Sequence, residues 1–317
     1  METEEIYFRQ RKRHIPLIDE RQITDFDICL RRLGSWNTTG KSALHDGAAG
    51  IIRLQWIIPD ERWCDEEGML QFLDLRLHRQ VLRWFLHSSP LSKDERFFLR
   101  DGWSGWSKEL RTTWRSNDLA QAVGRNSEEL LPILRFLTLQ EYLVKNGEGV
   151  WMSGPRLASI YNIGATLEWC VQAHFQRRHQ AIARRCVHFK EWEPLGINDL
   201  DILAFPNNLV FLAECKSSTD ITLGQITRFV KRAQAFPADI ALLLIDTDSL
   251  LSVATRVKQI KTILGRETHE EEQTQQDGSL IVFLPPNICV ANIGESISHT
   301  LESILHLGHI HIKSRPD

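Results

Sequence analysis

The C-terminal half of the chain alternates between apolar residues at helical spacing and short apolar runs typical of strands. A long helix is predicted from Leu157 to about Gln180. It is followed by predicted strands near 186–190, 200–204 and 209–215, a helix at 222–235, a strand at 239–245 and a helix at 250–264. This order of elements predicts a mixed sheet flanked by helices, which is an α/β fold.

Residues 107–153 carry a different pattern, in which two helices precede two short strands joined by a hairpin turn. The elements are predicted at 118–123, 127–140, 142–145 and 150–152. This order is typical of a winged helix-turn-helix domain, whose second helix binds DNA. Because that helix begins with Glu128 and Glu129 after Ser127, and carboxylates repel phosphate, a linker or dimerisation role is an open alternative.

The N-terminal region is less regular, with one predicted strand at 50–58 and one predicted helix at 68–87. The sequence therefore predicts three segments. They are an α+β N-terminal region without an assigned role (1–95), a winged helix-turn-helix domain (96–155) and the mixed α/β domain (156–317). The polar stretch 268–278 is interpreted as a solvated loop.

Composition narrows the class of protein. The 317 residues are 42% hydrophobic and 25% charged, as in globular proteins, and the net charge of −3 excludes a uniformly basic nucleic-acid coat. Six scattered cysteines form no CxxC pair, which favours a reducing compartment. The first five residues are not a basic leader, and no apolar run reaches the ~20 residues of a membrane span. We expect a cytoplasmic protein that does not bind membranes.

Three charged residues stand at the ends of apolar strands. Side chains alternate along a strand, so Glu214 and Lys216 share one face with Leu212, and the preceding hairpin strand brings Asp201 alongside them. Two carboxylates offer oxygen ligands to Mg²⁺ or Mn²⁺, and a neighbouring lysine can orient a water and offset charge on a phosphate. A solvated face is the alternative for Glu-x-Lys alone, but the complete set in this order favours a catalytic site.

Asp201 and Glu214-Cys215-Lys216, together with the upstream helical Gly164-Ala-Thr-Leu-Glu168, resemble the motifs of the PD-(D/E)xK nuclease superfamily. The resemblance is nearest to the nuclease domains of CARF-type CRISPR-associated nucleases that carry a winged helix. It implies a restriction-endonuclease-like fold and a metal-dependent endonuclease acting in antiviral defence, on DNA first and RNA second. It also implies that Glu168 is an auxiliary metal ligand.

Further residues are candidates for contact with the substrate. Gln225, in the helix after the central strand, resembles a substrate-binding glutamine of some members of the superfamily. Ser217 follows Lys216 and could contact phosphate, although a loop cap is an equal alternative. Arg184 and Arg185 belong to a basic stretch that can follow a phosphate backbone, with a solvated surface as the alternative.

The expected partner is nucleic acid, with a homodimer as the expected assembly, because one such site cuts one strand at a time. The candidate interface is the winged-helix region, whose apolar residues are Leu130, Leu134, Leu137 and Trp151. Residues 1–95 lack the strand–helix alternation of a CARF domain, so no nucleotide activator is predicted. The alternative function is a non-catalytic winged-helix regulator that binds nucleic acid on a nuclease-like scaffold.

Overall fold

The computed structural model describes residues 52–54, 65–88, 113–157, 160, 163–189, 199–236, 238–265, 271–274 and 278–313. The helices are α1 (Glu66–Asp74), α2 (Arg76–Ser88), α3 (Ser116–Val123), α4 (Ser127–Leu139), α5 (Ile163–Arg177), α6 (Leu223–Ala235), α7 (Leu250–Leu264) and α8 (Ile297–Lys313). The strands are β1 (Ile52–Leu54), β2 (Thr113–Arg115), β3 (Leu143–Lys145), β4 (Val150–Ser153), β5 (Ile182–Phe189), β6 (Asp199–Phe205), β7 (Phe211–Lys216), β8 (Ile240–Ile245), β9 (Glu271–Thr274), β10 (Leu280–Leu284) and β11 (Ile288–Asn292).

The chain divides into two compact units. Among the described residues, the sheet unit holds β1, Val171–Gly294 and α8 from Ser298 onward, and the helical unit holds the segment from Asp65 to Cys170 with Glu295–Ile297. Helix α5 contributes its first eight residues to the helical unit and the rest to the sheet unit. The three predicted segments stay a prediction, and most of the segment 1–95 lies outside the described residues.

The sheet unit contains an eight-stranded mixed sheet in the order β1-β5-β6-β7-β8-β11-β10-β9. Strand β8 runs parallel to its neighbours β7 and β11, and the other described pairs are antiparallel. The predicted mixed α/β character is confirmed. All six residues of β8 are buried, because a parallel strand in the middle of a sheet is covered on both faces.

Helices cover both faces of this sheet. On one face, Phe229 of α6 and Val257 of α7 pack in one core cluster with Leu212 and Leu243 of the central strands. On the other face, Phe175 of α5 contacts Phe211 with ring centroids 4.9 Å apart. Helix α8 lies on the same face as Phe211, since a Cβ added at Gly308 would overlap Ile240 of β8. The candidate residues of β7 lie on the face that α6 covers.

The helical unit is built around a three-stranded antiparallel sheet in the order β2-β4-β3. Gly124 ends α3 in the left-handed conformation with φ 65°, and the Asn126 side chain caps α4 by accepting the Glu129 N–H at 2.8 Å. The four apolar residues predicted to form a dimer interface are all buried inside this unit, at 4% exposure or less: Leu130, Leu134, Leu137 and Trp151. These four side chains are therefore not available for a dimer interface, because the domain's own core consumes them, and an interface in this region stays a prediction.

Four predicted elements differ from the structure. The helix predicted from Leu157 to about Gln180 is α5, which spans Ile163–Arg177. The helix predicted at 68–87 is two helices, because Leu75 is extended (φ −86°, ψ 132°) and bridges to Ser296. The loop predicted at 268–278 contains β9, which pairs with β10; an edge strand needs backbone partners on one side only and tolerates polar side chains. The strand predicted near 186–190 begins earlier, at Ile182. No helix in the described ranges is both long and apolar enough to cross a membrane.

Candidate functional site

The site forms where the ladder between β6 and β7 ends. The last paired residues there are Ile202 and Ala213, so Asp201 and Glu214 come next on the two strands. Beyond this pair the backbone N–H of Cys215 donates to the Asp201 Oδ2 atom at 2.9 Å. The Asp201 carboxylate thus replaces the backbone acceptor that a continued antiparallel strand would supply, and it is fixed against β7.

The side chains of Glu214 and Lys216 meet at this point, as alternation along β7 requires. The Lys216 Nζ atom lies 2.5 Å from the Glu214 Oε1 atom and 3.7 Å from the Asp201 Oδ2 atom. Since both oxygens reach the same nitrogen, they lie closer together than the ~8 Å that would prevent them from sharing one ion through ~2.1 Å bonds. The structure therefore brings together the three residues predicted to form the catalytic centre.

Arg232 is a fourth member of the cluster that the sequence analysis did not identify. It lies on α6, and its Nη2 atom is 2.8 Å from the Glu214 Oε2 atom. On this helix Arg232 follows Phe229 by three residues and precedes the buried Ala233, so it stands on the apolar stripe. A cationic residue on a buried stripe, facing a strand that carries an acidic residue, is the sequence signal that could have found it.

These four charged side chains are largely withdrawn from water. The exposed fractions of the side chains are 7% for Glu214, 9% for Arg232, 19% for Asp201 and 20% for Lys216. Two carboxyl groups and two cationic groups thus share one site, and each Glu214 oxygen has its own cationic neighbour. Burial of a charged group is tolerated when it is paired in this way.

The protonation of the cluster follows from its burial. Loss of water contact raises the pKa of Asp201 from 3.8 to about 7, and repulsion from Glu214 also raises it. Attraction to Lys216 and Arg232 and the hydrogen bond from the Cys215 N–H lower it, but by less. Burial alone would lower the pKa of the Lys216 ammonium, but attraction to Asp201 and Glu214 outweighs it and raises that pKa above 10.5. At neutral pH the Asp201 carboxyl group is therefore partly protonated, whereas the Lys216 side chain stays charged.

The two carboxylates fit a divalent metal ion with hard oxygen preferences. In the described part of the chain, no three His, Cys, Asp or Glu side chains are grouped to hold a metal. Mg²⁺ needs only one or two carboxylates, since it keeps several waters and takes further oxygens from phosphates. The Lys216 ammonium contacts both carboxylates, and its flexible stem allows it to move away from them. Asp201 and Glu214 are the residues that would hold such an ion.

Glu168, the predicted third ligand, lies on α5 in the part of that helix that belongs to the helical unit. Its side chain is half-buried. It is not grouped with two further metal-binding side chains among the residues described. Its role as a ligand stays a prediction.

The predicted substrate contacts have different surroundings. Gln225 forms a capping box at the start of α6, where its Oε1 atom accepts the Thr222 N–H at 2.8 Å and the Thr222 hydroxyl accepts the Gln225 N–H at 3.3 Å. This structural task alone explains a glutamine at the position. Ser217 is half-buried and directly follows Lys216 at the end of β7, so it lies next to the cluster in sequence.

The two arginines predicted to contact phosphate are buried in β5. Arg184 is 5% exposed and donates from Nη1 to the Ala183 carbonyl at 3.1 Å, and Arg185 is 2% exposed. The prediction of a phosphate-binding surface at these two residues is not met, because the strand places both inside the sheet unit. Arg177 and Arg178, at the end of α5, are the exposed arginines of this basic stretch.

No protein-family model and no curated protein matches the chain. A solved structure described as the crystal structure of protein VC1899 from Vibrio cholerae shares 17% sequence identity with it, at a TM-score of 0.34. The match covers 62% of this chain and 51% of that one, so the chain spans about half the length of that protein. A likeness of this degree carries no argument about fold or function.

Proposed function

We propose that the protein is a metal-dependent nuclease of the PD-(D/E)xK type that hydrolyses phosphodiester bonds, with DNA as its first substrate. The observation that carries the proposal is the convergence of Asp201, Glu214 and Lys216 where the β6–β7 ladder ends. Two largely buried carboxyl groups share this site with Lys216 and Arg232, and the pKa of Asp201 is raised to about 7. Carboxyl groups with a pKa shifted in this way cluster at sites that exchange protons or bind metal.

The arrangement of elements supports the same proposal. Helix α5 precedes an antiparallel meander β5-β6-β7, and α6 then leads to β8, which runs parallel to β7. This order is the one expected of a restriction-endonuclease-like core, in which a helix is followed by three strands, a second helix and a fourth strand. In the helical unit, α3 and α4 followed by the β3–β4 hairpin, with β2 paired to β4, support a winged helix.

Each residue of the cluster has a distinct role in the proposed reaction. Asp201 and Glu214 would hold Mg²⁺ or Mn²⁺ through carboxylate oxygens. The bound ion would polarise the phosphoryl group and lower the pKa of an attacking water. Lys216, released from the carboxylates, orients that water and stabilises the negative charge that develops on the phosphate. Arg232 stays with Glu214 and compensates its buried charge.

The test is cleavage of plasmid DNA, single-stranded DNA and RNA by the full chain with Mg²⁺, with Mn²⁺ and with EDTA. We expect cleavage with either ion and none with the chelator, because the proposed ligands are hard oxygens. Undiminished cleavage in EDTA contradicts the metal site. Binding of nucleic acid without cleavage in either metal favours the non-catalytic winged-helix regulator. A role in antiviral defence rests on the sequence resemblance alone.

A further inference from the structure

We infer that Arg232 determines how Glu214 binds a metal ion: it retains the Oε2 atom, leaves only the Oε1 atom as a ligand, and so selects Mg²⁺ over Ca²⁺. The inference rests on the proposed metal-dependent function. It adds a specificity-determining residue outside the predicted Asp, Glu and Lys set.

The two oxygens of Glu214 have cationic neighbours of different mobility. The Oε1 atom faces the Lys216 ammonium at 2.5 Å, and the Lys216 side chain is 20% exposed on a flexible stem at the end of β7. The Oε2 atom faces the Arg232 guanidinium at 2.8 Å, and the Arg232 side chain is 9% exposed. When an ion enters, the lysine can withdraw from Oε1, whereas the arginine stays at Oε2.

Helix α6 holds Arg232 in place. The helix is fixed at its start by the Thr222–Gln225 capping box and along its length by Phe229 and Val230, which are 1% and 0% exposed.

Asp201 is restricted in the same way, since its Oδ2 atom already accepts the Cys215 N–H at 2.9 Å. Each carboxylate thus has one oxygen committed to the protein. Single-oxygen ligation suits Mg²⁺, which requires near-octahedral geometry with several waters. Ca²⁺ takes six to eight oxygens and readily accepts both oxygens of one carboxylate, which the commitment of Oε2 and Oδ2 prevents.

The experiment compares the affinities of Mg²⁺ and Ca²⁺ for the full chain by calorimetry without substrate. Replacing Arg232 by Met removes a positive charge, but that charge acts on both divalent ions alike, so the ratio of the two affinities isolates the geometry. We expect Arg232→Met to shift the ratio toward Ca²⁺ by about tenfold, the size of effect that partners of metal ligands have on affinity. Arg232→Lys keeps the positive charge but carries it on a flexible stem like that of Lys216, so it should shift the ratio in the same direction by a smaller factor.

Arg228 provides the matched control, because it is an exposed arginine on the same helix. Arg228→Met should leave the ratio unchanged. An unchanged ratio in Arg232→Met, with both ions still bound, overturns the inference and leaves the nuclease proposal standing. Failure of the wild-type chain to bind either ion overturns the proposed metal site itself, and the inference with it.

A measurement on a chain that keeps Arg232 covers the case in which Arg232→Met does not fold. Infrared difference spectra on Mg²⁺ binding, with ¹³C-labelled glutamate in the Glu168→Gln variant, separate the carboxylate stretches of Glu214 from those of aspartate. Single-oxygen ligation gives a wide splitting between the symmetric and antisymmetric stretches, and we expect that result. A narrow splitting, typical of ligation by both oxygens, overturns the inference.

Discussion

Asp201 is the residue whose protonation decides how much negative charge the cluster carries. Its pKa is raised to about 7 in the folded chain, from 3.8 for an ordinary aspartate, chiefly by burial. A carboxyl group whose pKa is higher in the folded chain than in the unfolded chain stabilises the fold fully when the pH is below the unfolded-state pKa. This contribution is lost as the pH rises through the folded-state pKa. The stability of the metal-free protein relative to Asp201→Asn should therefore fall as pH rises from about 3.8 to about 7.

Urea unfolding of both proteins in EDTA, at several pH values across this range, measures the difference. The comparison with Asp201→Asn cancels the other titrating groups, which both proteins share. A stability difference that is independent of pH, or that grows with pH, would show that Asp201 is not the buried neutral carboxyl group inferred from its surroundings.

The chemistry at the cluster predicts how single replacements change cleavage. Asp201→Asn and Glu214→Gln keep the shape of each side chain while removing the charge that holds the metal, and Lys216→Met removes the charge that faces the phosphate. Each should lower the turnover number by roughly 10²- to 10³-fold, as loss of one preorganised electrostatic group does. Lys231→Met, an exposed neighbour of Arg232 on α6, is the control and should cleave normally. Turnover near the wild-type value in any of the three variants places the centre elsewhere.

The sequence predicts those members of the cluster whose contacts follow from local patterns. The alternation along β7 placed Glu214 and Lys216 on one face, and the hairpin order placed Asp201 beside them. Arg232 was missed because its contact with Glu214 joins a helix to a strand, and helical periodicity does not say which strand a helix covers. Arg184 and Arg185 were assigned to the surface from their charge, whereas the strand that carries them is buried.

At the scale of elements, the start of α6 offers a test of the role of Gln225. Thr222→Ala removes a side-chain cap and should lower the free energy of unfolding by about 1 kcal/mol. Gln225→Ala should destabilise to a similar degree, whereas Gln225→Glu keeps the reciprocal hydrogen bonds and should be close to wild type. Denaturant unfolding measures all three variants.

If Gln225 has only this structural task, the affinity of metal-free protein for DNA should be the same in Gln225→Ala and Thr222→Ala. A loss of affinity confined to the Gln225 variant would instead support the substrate contact predicted from the sequence. Thr222→Ala is a suitable control because it weakens the same cap without changing the glutamine.

Elements were predicted best where local signals and burial agree. Helix α7 has the predicted bounds, because Ser249 caps its start and Gly265 ends it in the left-handed conformation with φ 63°. The break between α1 and α2 was missed, since the apolar spacing continues through Leu75 and the extended residue is fixed by its bridge to Ser296, far along the chain. Strand β9 was missed because it joins the sheet by backbone pairing with β10, which hydrophobic periodicity does not report.

The organisation of the whole molecule depends on long-range pairing that periodicity does not report. Strand β1 joins the sheet through β5, more than a hundred residues later, although the sequence analysis placed it in a separate N-terminal region. Helices α1 and α2, from the same region, belong to the helical unit with α3 and α4. The predicted segments, which were drawn from the local order of elements, and the compact units therefore group these elements differently.

Homodimerisation is the prediction that concerns the whole molecule, because two sites are needed to cut both strands of a duplex together. The exposed face of α4 carries apolar side chains that the core of the helical unit does not consume. It presents Leu131, which is 40% exposed, between Glu128 and Arg135, and Leu139, which is 81% exposed, one turn beyond Arg135. Neither of these two charged residues forms an ion pair within the described ranges. If two α4 helices pack antiparallel about a twofold axis, Glu128 of each chain lies beside the partner's Arg135.

Light scattering at micromolar concentration should therefore give twice the chain mass of 36.7 kDa. Glu128→Arg alone or Arg135→Glu alone places like charges opposite each other and should shift the protein toward the monomer. The two changes together should restore the dimer, because they exchange the two charges and keep them complementary. Equal weakening in the single and double variants contradicts the antiparallel pairing but not the dimer. A wild-type monomer contradicts the dimer itself, and the preferred substrate then becomes a single strand, which one site can cut without a partner.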